Sequence, residues 1–307
     1  MYQEFIFIIL ISAVLTLLLK WIISKAGGSL YTSVRGGTPR AVGIAPFIAM
    51  LIFLPSPYNY LVALIGIFAF LDDLIGRRKT KILPFEIGQL SRGIGMLVVA
   101  VIGFYYIGPA SILIALMIQP LNIADMQPGA ACSTVIIMCI PAIILLMKIG
   151  LLSYYIPLVI LAACIGYAPL DYKGKIMMGE IGNHSFAVAL GITYAVLGGA
   201  YGSISGIEYS LGSFLGVLGL FIITLFIVAV IRRKNLNIFL REKLGIKNPY
   251  FGDYVMDVLT GGGLGDLIRK ILIGKREIII KRHIFKILGF RRLVYNPHAH
   301  RQYLKSD

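Results

Sequence analysis

Residues 211–231 read LGSFLGVLGLFIITLFIVAVI, an uncharged run that ends against Arg232, Arg233 and Lys234. A helix of about 20 apolar residues is long enough to cross the hydrocarbon core of a bilayer. The lipid offers no partners to backbone polar groups, so a spanning segment must satisfy them within itself. We therefore predict that this run is a transmembrane helix, and the basic residues after it are typical of a cytoplasmic end.

Eight more apolar runs precede this one, and the second and fifth of the nine are short. They cover residues 3–24, 41–54, 59–75, 85–107, 109–121, 130–147, 151–169 and 185–205. The chain is 58% hydrophobic and only 14% charged, whereas a soluble domain is about a quarter charged. The sequence therefore predicts an all-α polytopic transmembrane helical bundle of about nine spans.

The charge distribution indicates how the bundle is oriented. The formal net charge is +15, and 17 of the 29 Lys and Arg residues follow position 231. Basic residues also fill the loops at 25–40, 76–84 and 170–184, whereas the alternate loops hold one lysine, Lys148. Clustering beside spans is the positive-inside signal, so we interpret the charge as membrane-related and not as a nucleic-acid surface. We expect an integral protein of the cell membrane with its N-terminus outside and its tail in the cytoplasm.

Two regions follow from this pattern: a transmembrane domain over residues 1–231 and a basic cytoplasmic tail over residues 232–307. Within the tail, residues 277–293 read EIIIKRHIFKILGFRRL and mix apolar and basic side chains at near-helical spacing. This spacing predicts a basic amphipathic helix in the membrane interface. An ordinary cytoplasmic helix packed on the spans is the alternative.

Ionisable residues are costly inside a membrane, so they are candidates for function. Asp72 and Asp73 are adjacent at the end of the third run. Their carboxylates repel each other unless a divalent metal, a nearby Arg or Lys, or protonation compensates; a solvated helix end is the alternative. Asn122 and Asp125 are three residues apart and would share a helix face.

Two further polar clusters complete the set. Glu180 lies between Gly179 and Gly182, and glycine permits close backbone approach to a ligand. The last cluster contains two histidines and an arginine that could grip a phosphate: His298, His300 and Arg301. A basic chain end is the alternative reading of this last cluster. The topology puts all the clusters on the cytoplasmic side, where they would form a site for a metal-bound pyrophosphate, and oxygen ligands suit Mg²⁺.

The order of these motifs resembles a known family, the polyprenyl-phosphate N-acetylhexosamine-1-phosphate transferases. This family includes phospho-N-acetylmuramoyl-pentapeptide translocase and the enzymes that transfer GlcNAc-1-phosphate from UDP-GlcNAc to a polyprenyl phosphate. The matching stretches run along most of the chain: Arg35–Ile44 (RGGTPRAVGI), Phe70–Asp73 (FLDD), Gln89, Asn122–Asp125 (NIAD), Met178–Asn183 (MGEIGN) and His298–His300 (HAH).

The resemblance implies an Mg²⁺-dependent transfer of an amino-sugar 1-phosphate, with or without an attached peptide. The donor would be a UDP-sugar, the acceptor a polyprenyl phosphate in the membrane, and UMP would be released, as in cell-wall or glycan lipid-intermediate synthesis. Asp72 and Asp73 would be catalytic, with Asp72 the better candidate to accept or position the proton of the acceptor. Glu180 would bind Mg²⁺. The substrate-binding residues would be Asn122 and Asp125 for the nucleotide-sugar and His298, His300 and Arg301 for the diphosphate.

Two departures from the family pattern leave other functions open. Glu180 stands where the family has Asp, and Pro128 stands where a second Asp follows the N-x-x-D motif. The chain therefore resembles a divergent member of the family, and a non-catalytic relative that acts as a scaffold is one alternative. A transporter is another, and it would place acidic residues near the middle of the membrane. Whether the chain forms a homodimer is left open.

Overall fold

The computed structural model describes residues 2–32, 37–75, 87–274 and 276–296. These residues are helical apart from one short hairpin and the connecting turns. The chain forms two compact units, Met1–Ile223 and Thr224–Asp307. The division falls a few residues before the predicted boundary at residue 231.

Seven helices in the described part of the chain are long and apolar enough to cross a membrane. Numbered in chain order together with the shorter helices, they are α1 (Tyr2–Ala26), α3 (Tyr58–Ile75), α4 (Ile87–Ile107), α7 (Ala130–Lys148), α8 (Tyr155–Tyr172), α9 (Gly179–Ile204) and α10 (Tyr209–Ile231). They confirm the predicted all-α polytopic bundle and make the chain an integral membrane protein.

The two short apolar runs form shorter helices: α2 (Ile44–Phe53), α5 (Ala110–Leu116) and α6 (Ile118–Asp125). The 10 residues of α2 reach only about 15 Å at 1.5 Å per residue, half of the hydrocarbon core. Extended backbone at Leu54, ahead of Pro55, ends α2. The nine predicted segments are thus seven long helices and two short segments, of which the second contains both α5 and α6.

Helix α9 is the central element of the first unit. Its side chains Phe186, Leu190 and Ile192 are fully buried, and it packs on α2, α3, α5, α6, α7 and α8. By contrast, α1 leaves Leu10, Val14 and Leu17 more than half exposed. An apolar helix that is buried on all sides belongs in the core, and one with exposed apolar side chains suits contact with lipid.

A short hairpin precedes α2. Its strands β1 (Tyr31–Thr32) and β2 (Thr38–Pro39) are antiparallel, with Tyr31 opposite Pro39. The chain that follows β2 runs beside Met177 and Met178, whose backbone bonds to Pro39, Val42 and Gly43 at 2.9–3.3 Å. The backbone therefore joins the N-terminal hairpin to the start of α9.

In the described residues of the second unit, five short helices follow the end of α10: α11 (Arg233–Glu242), α12 (Phe251–Thr260), α13 (Gly263–Ile273), α14 (His283–Ile287) and α15 (Phe290–Leu293). Two arginines of α15 pair with two aspartates of α12, Arg291 with Asp253 and Arg292 with Asp257. The prediction of one amphipathic helix over residues 277–293 is wrong. Residues 277–282 are not helical, since three consecutive β-branched isoleucines disfavour a helix, and Gly289 at φ 82° separates α14 from α15.

Glycines bring α9 and α10 into backbone contact. A Cβ at Gly216 would overlap the carbonyl oxygen of Tyr194 and lie 2.9 Å from the Cα of Gly198, whereas a Cβ at Gly219 would meet nothing within 4 Å. Small residues at this spacing let membrane helices approach closely. The packing of the two helices therefore depends on Gly216 and not on Gly219.

We expect Gly216→Ala to lower the free energy of unfolding by about 1–3 kcal/mol, because the added methyl group must displace backbone. Gly219→Ala, three residues away on the same helix, should leave it unchanged or raise it slightly. Unfolding of both variants in detergent micelles measures the difference. Equal effects would contradict the glycine contact.

Candidate functional site

The N-terminus of α9 is buried, and its four free backbone N–H groups are each bound by one carboxylate oxygen. The N–H groups of Met178 and Gly179 donate to Oδ1 and Oδ2 of Asp125 at 3.3 and 3.1 Å. Those of Glu180 and Ile181 donate to Oδ1 and Oδ2 of Asp73, both at 3.1 Å. The first four N–H groups of a helix have no partner within it, so these two aspartates complete the helix from outside.

The two aspartates come from the ends of other helices. Asp125 is the last residue of α6, and Asp73 lies two residues before the end of α3. Both are buried, with exposures of 3% and 0%. The positive end of the α9 dipole favours negative charge at this position. Each aspartate therefore ties its helix to α9.

Arg40 adds a cation behind Asp73. Its Nε lies 3.2 Å from Asp73 Oδ1, and its Nη2 donates to the backbone carbonyl oxygen of Asp73 at 3.1 Å. This carbonyl belongs to the last turn of α3, where carbonyl groups lack helical partners. The residue after β2 thus joins α3 and α9.

The glycines around Glu180 have a different role from the predicted one. Gly179 has a φ of +67°, and a Cβ there would lie 2.6 Å from the backbone N of Ala41 and 2.7 Å from Asp73 Oδ2. At Gly182, a Cβ would lie 2.8 Å from the Cα of Gly43. The close backbone approach is made to residues 41–43 of the chain itself, and the sequence pattern alone did not distinguish this from an approach to a ligand.

Arg92 bridges the two remaining acidic side chains. Its Nη2 lies 3.0 Å from Asp72 Oδ2 and 2.7 Å from Glu180 Oε1, and its Nε donates to the same Asp72 oxygen at 3.3 Å. The exposed fractions of the three side chains are small: 15% for Arg92, 9% for Asp72 and 16% for Glu180. Arg92 is not among the site residues predicted from the sequence. The signal was present, because it is an arginine within the apolar run 85–107.

His184 lies one turn after Glu180 on the same face of α9. It is fully buried, and its Nε2 is 3.1 Å from Glu180 Oε2. The angle does not complete a hydrogen bond, and neither ring nitrogen has another partner among the described residues. Buried polar groups are usually hydrogen-bonded, and the contact with Glu180 places this imidazole beside the acidic side chains of the site.

Two asparagines extend the site along α6 and α9. The Nδ2 of Asn183 donates to Oδ1 of Asn122 at 3.4 Å. The other amide atom of Asn183, its Oδ1, is buried and has no hydrogen-bond partner among the described residues. This oxygen could accept a hydrogen bond from a ligand.

The structure therefore brings five of the eight predicted site residues to one end of the bundle: Asp72, Asp73, Asn122, Asp125 and Glu180. His298, His300 and Arg301 lie outside the described residues. Among the five, Asp73 and Asp125 bind backbone, whereas Asp72 and Glu180 meet at Arg92. The site joins four carboxylates to two guanidinium groups, and the N-terminus of α9 supplies the rest of the positive potential.

The fit of Mg²⁺ to this site is poor. In the described part of the chain, no group of three or more His, Cys, Asp or Glu side chains is arranged to hold a metal. Both oxygens of Asp73 accept backbone N–H groups, and Arg92 lies between Asp72 and Glu180. Mg²⁺ requires oxygen ligands in near-octahedral geometry at about 2.0–2.1 Å, and Arg92 already holds one oxygen of Asp72 and one of Glu180.

The chain was compared with known proteins. No protein-family model matches it, and a search of curated proteins found no significant match. The resemblance of the motifs therefore stands on the residues and their geometry alone.

The adjacent aspartates should differ in their effect on stability. Asp73→Asn replaces one acceptor oxygen with an NH₂ group that faces a backbone N–H, so we expect it to lower the free energy of unfolding by about 3 kcal/mol. Asp72→Asn should cost only about 1 kcal/mol, because Arg92 keeps Glu180 as its partner. Unfolding of the two variants in detergent measures both values. A larger loss for Asp72→Asn would mean that the roles are assigned the wrong way round.

Proposed function

We propose that the protein transfers a phospho-sugar from a UDP-activated amino sugar to a polyprenyl phosphate in the membrane and releases UMP. The observation that carries the proposal is the convergence of separate motifs. Asp73 contacts Ile181 across 108 residues of sequence, and Asp125 contacts Gly179 across 54. The segment that begins with Thr38 and Pro39 joins the same point through Met177.

Asp72 is the residue best placed to act on the acceptor. Its Oδ2 is held by Arg92, and its Oδ1 has no hydrogen-bond partner among the described residues. In the proposed step, Oδ1 accepts the proton of the polyprenyl phosphate, whose oxygen then attacks the sugar-proximal phosphorus. The bond between that phosphorus and the oxygen of the UMP phosphate breaks. Positioning and charge stabilisation are most of what phosphoryl transfer requires.

The asparagine pair is suited to the donor. The free Oδ1 of Asn183 accepts a hydrogen bond, and the partly exposed Asn122 lies beside it. Amide groups of this kind recognise the edges of polar ligands without adding charge. The proposal assigns the nucleotide-sugar to this part of the site and retains cytoplasmic access, which the positive-inside pattern predicts.

The position of the acidic residues favours an enzyme over a transporter. Asp72 and Asp73 are in the last turn of α3, Asp125 ends α6, and Glu180 is in the first turn of α9. A path for ions would place such groups along the middle of the spans. Here they gather at helix ends on one side of the bundle.

A non-catalytic scaffold is the second candidate. It is favoured by the ion pairs of Arg92, which engage Asp72 and Glu180 within the protein. A scaffold has no need of Asp72 as an acid or base. Removal of the Asp72 carboxylate should therefore lower turnover if the protein is an enzyme, whereas a scaffold has no turnover to lose.

We expect label from radioactive UMP to enter a UDP-sugar when the purified protein is incubated with a polyprenyl phosphate and a panel of UDP-sugars. Asp72→Asn should lower the exchange rate by about 100-fold or more, which is typical for loss of a general base. The rate of label incorporation is the measurement.

Asp266→Asn is the matched control. Asp266 lies on α13 in the second unit and its side chain is 40% exposed, so the same chemical change there should leave exchange unaltered. If the Asp72→Asn variant still exchanges label at the wild-type rate, the assignment of Asp72 as the base is wrong. No exchange with any UDP-sugar, from protein shown to be folded, would favour the scaffold.

A further inference from the structure

We propose that Arg92 is the resident cation of the site and occupies the place between Asp72 and Glu180 that a divalent metal would take. The inference rests on the proposed function, since it concerns the same site. It differs from the expectation that the resemblance supplied, in which Glu180 binds Mg²⁺. The side chain would supply in permanent form the positive charge that a reaction between two phosphate anions needs.

The geometry of the bridge is the first argument. The carboxylates of Asp72 and Glu180 are 108 positions apart in sequence, and a single Nη2 of Arg92 contacts both at 3.0 and 2.7 Å. A metal that bound these oxygens would have to displace the guanidinium group. Arginine is not deprotonated in proteins. Loss of a proton therefore cannot free the position between the two carboxylates for a metal.

The other two carboxylates of the site, those of Asp73 and Asp125, have donors of their own. Asp73 and Asp125 are each satisfied by two backbone N–H groups of α9, and Arg40 lies against Asp73. The two carboxylates that bind no backbone are the two that share Arg92. The arrangement therefore supplies each acidic group with a donor from the protein itself.

The free part of the guanidinium group indicates what it would bind. Nε and Nη2 face Asp72 and Glu180, whereas Nη1 has no hydrogen-bond partner among the described residues. Its two N–H groups can donate to an oxygen of a phosphate. Arginine donors of this kind favour phosphate and carboxylate ligands. The assigned ligand is the diphosphate of the nucleotide-sugar, held by Nη1 next to the free Oδ1 of Asp72.

His184 strengthens this assignment. Its imidazole is fully buried beside Glu180, and it lacks a hydrogen-bond partner among the described residues. The 3.1 Å contact of His184 is with Glu180, whereas Arg92 contacts both Asp72 and Glu180, so Arg92 is the group that joins the two carboxylates. The bridge therefore depends on one side chain, which makes it testable by substitution.

Binding of Mn²⁺, followed by the loss of its free-ion electron paramagnetic resonance signal, tests the proposal without any turnover. The wild-type protein in detergent should bind no Mn²⁺ at the site. Arg92→Gln leaves two carboxylates that face each other without a cation, so it should gain one Mn²⁺ per chain with an affinity at least about tenfold higher than wild type. The double variant Asp72→Asn/Arg92→Gln should lose this gain.

Two variants serve as controls. Arg241→Gln removes an exposed arginine of α11 and should bind Mn²⁺ no better than wild type. Arg92→Lys keeps a positive charge and should also bind none. If Arg92→Gln does not fold, titration of the wild-type protein still decides the proposal, because the proposal requires that no Mn²⁺ binds at the site. One Mn²⁺ bound to the wild-type chain, and lost on Glu180→Gln, would overturn the proposal.

The exchange assay separates this inference from the proposed function. Exchange that continues in excess EDTA supports Arg92 as the cation. Exchange that stops in EDTA and returns with Mg²⁺ overturns it while supporting the transferase. If no exchange occurs under either condition, the proposed function fails, and the Mn²⁺ titration still decides the role of Arg92.

Discussion

The structure depends on the four N–H groups at the N-terminus of α9, because they are buried where water cannot satisfy them. In a bilayer each unsatisfied backbone group is costly, and the chain meets this need with one oxygen for each group from Asp73 and Asp125. Because Asp125 is the last residue of α6 and Asp73 lies two residues before the end of α3, the requirement holds the ends of both helices against α9. It also places the neighbouring residue, Asp72, beside Arg92. The need to bind these four N–H groups thus determines the arrangement of helix ends on which the proposed chemistry depends.

The same constraint explains why the two adjacent aspartates separate in function. Asp73 turns toward α9 and is fully buried, whereas Asp72 turns toward Arg92 at the edge of the site. Consecutive side chains on a helix point in directions about 100° apart, so they meet different neighbours. The two adjacent carboxylates therefore have different roles. Asp73 binds the backbone of α9, whereas Asp72 is the carboxylate that the proposal assigns to the acceptor.

Arg92 and Glu180 form the shortest ion pair among the described residues of the site. Glutamate extends its carboxylate further than aspartate by one methylene, and in this chain that carboxylate meets an arginine from α4. The longer acid and the cation are a matched pair, which suggests a reason for the departure of Glu180 from the motif it resembles. A buried cation that is paired with two carboxylates is costly to remove, so the arginine would be a fixed part of the site.

The sequence by itself determined the membrane bundle, because long uncharged runs have only one stable backbone arrangement in lipid. It also selected Asp72, Asp73, Asn122, Asp125 and Glu180, since polar groups beside spans stand out against an apolar chain. Only the tertiary structure decided that Asp73 and Asp125 bind backbone, that Gly179 and Gly182 contact residues 41–43, and that Arg92 joins Asp72 to Glu180. Those outcomes depend on contacts between residues up to about 140 positions apart in the chain, and no local spacing or periodicity carries that information.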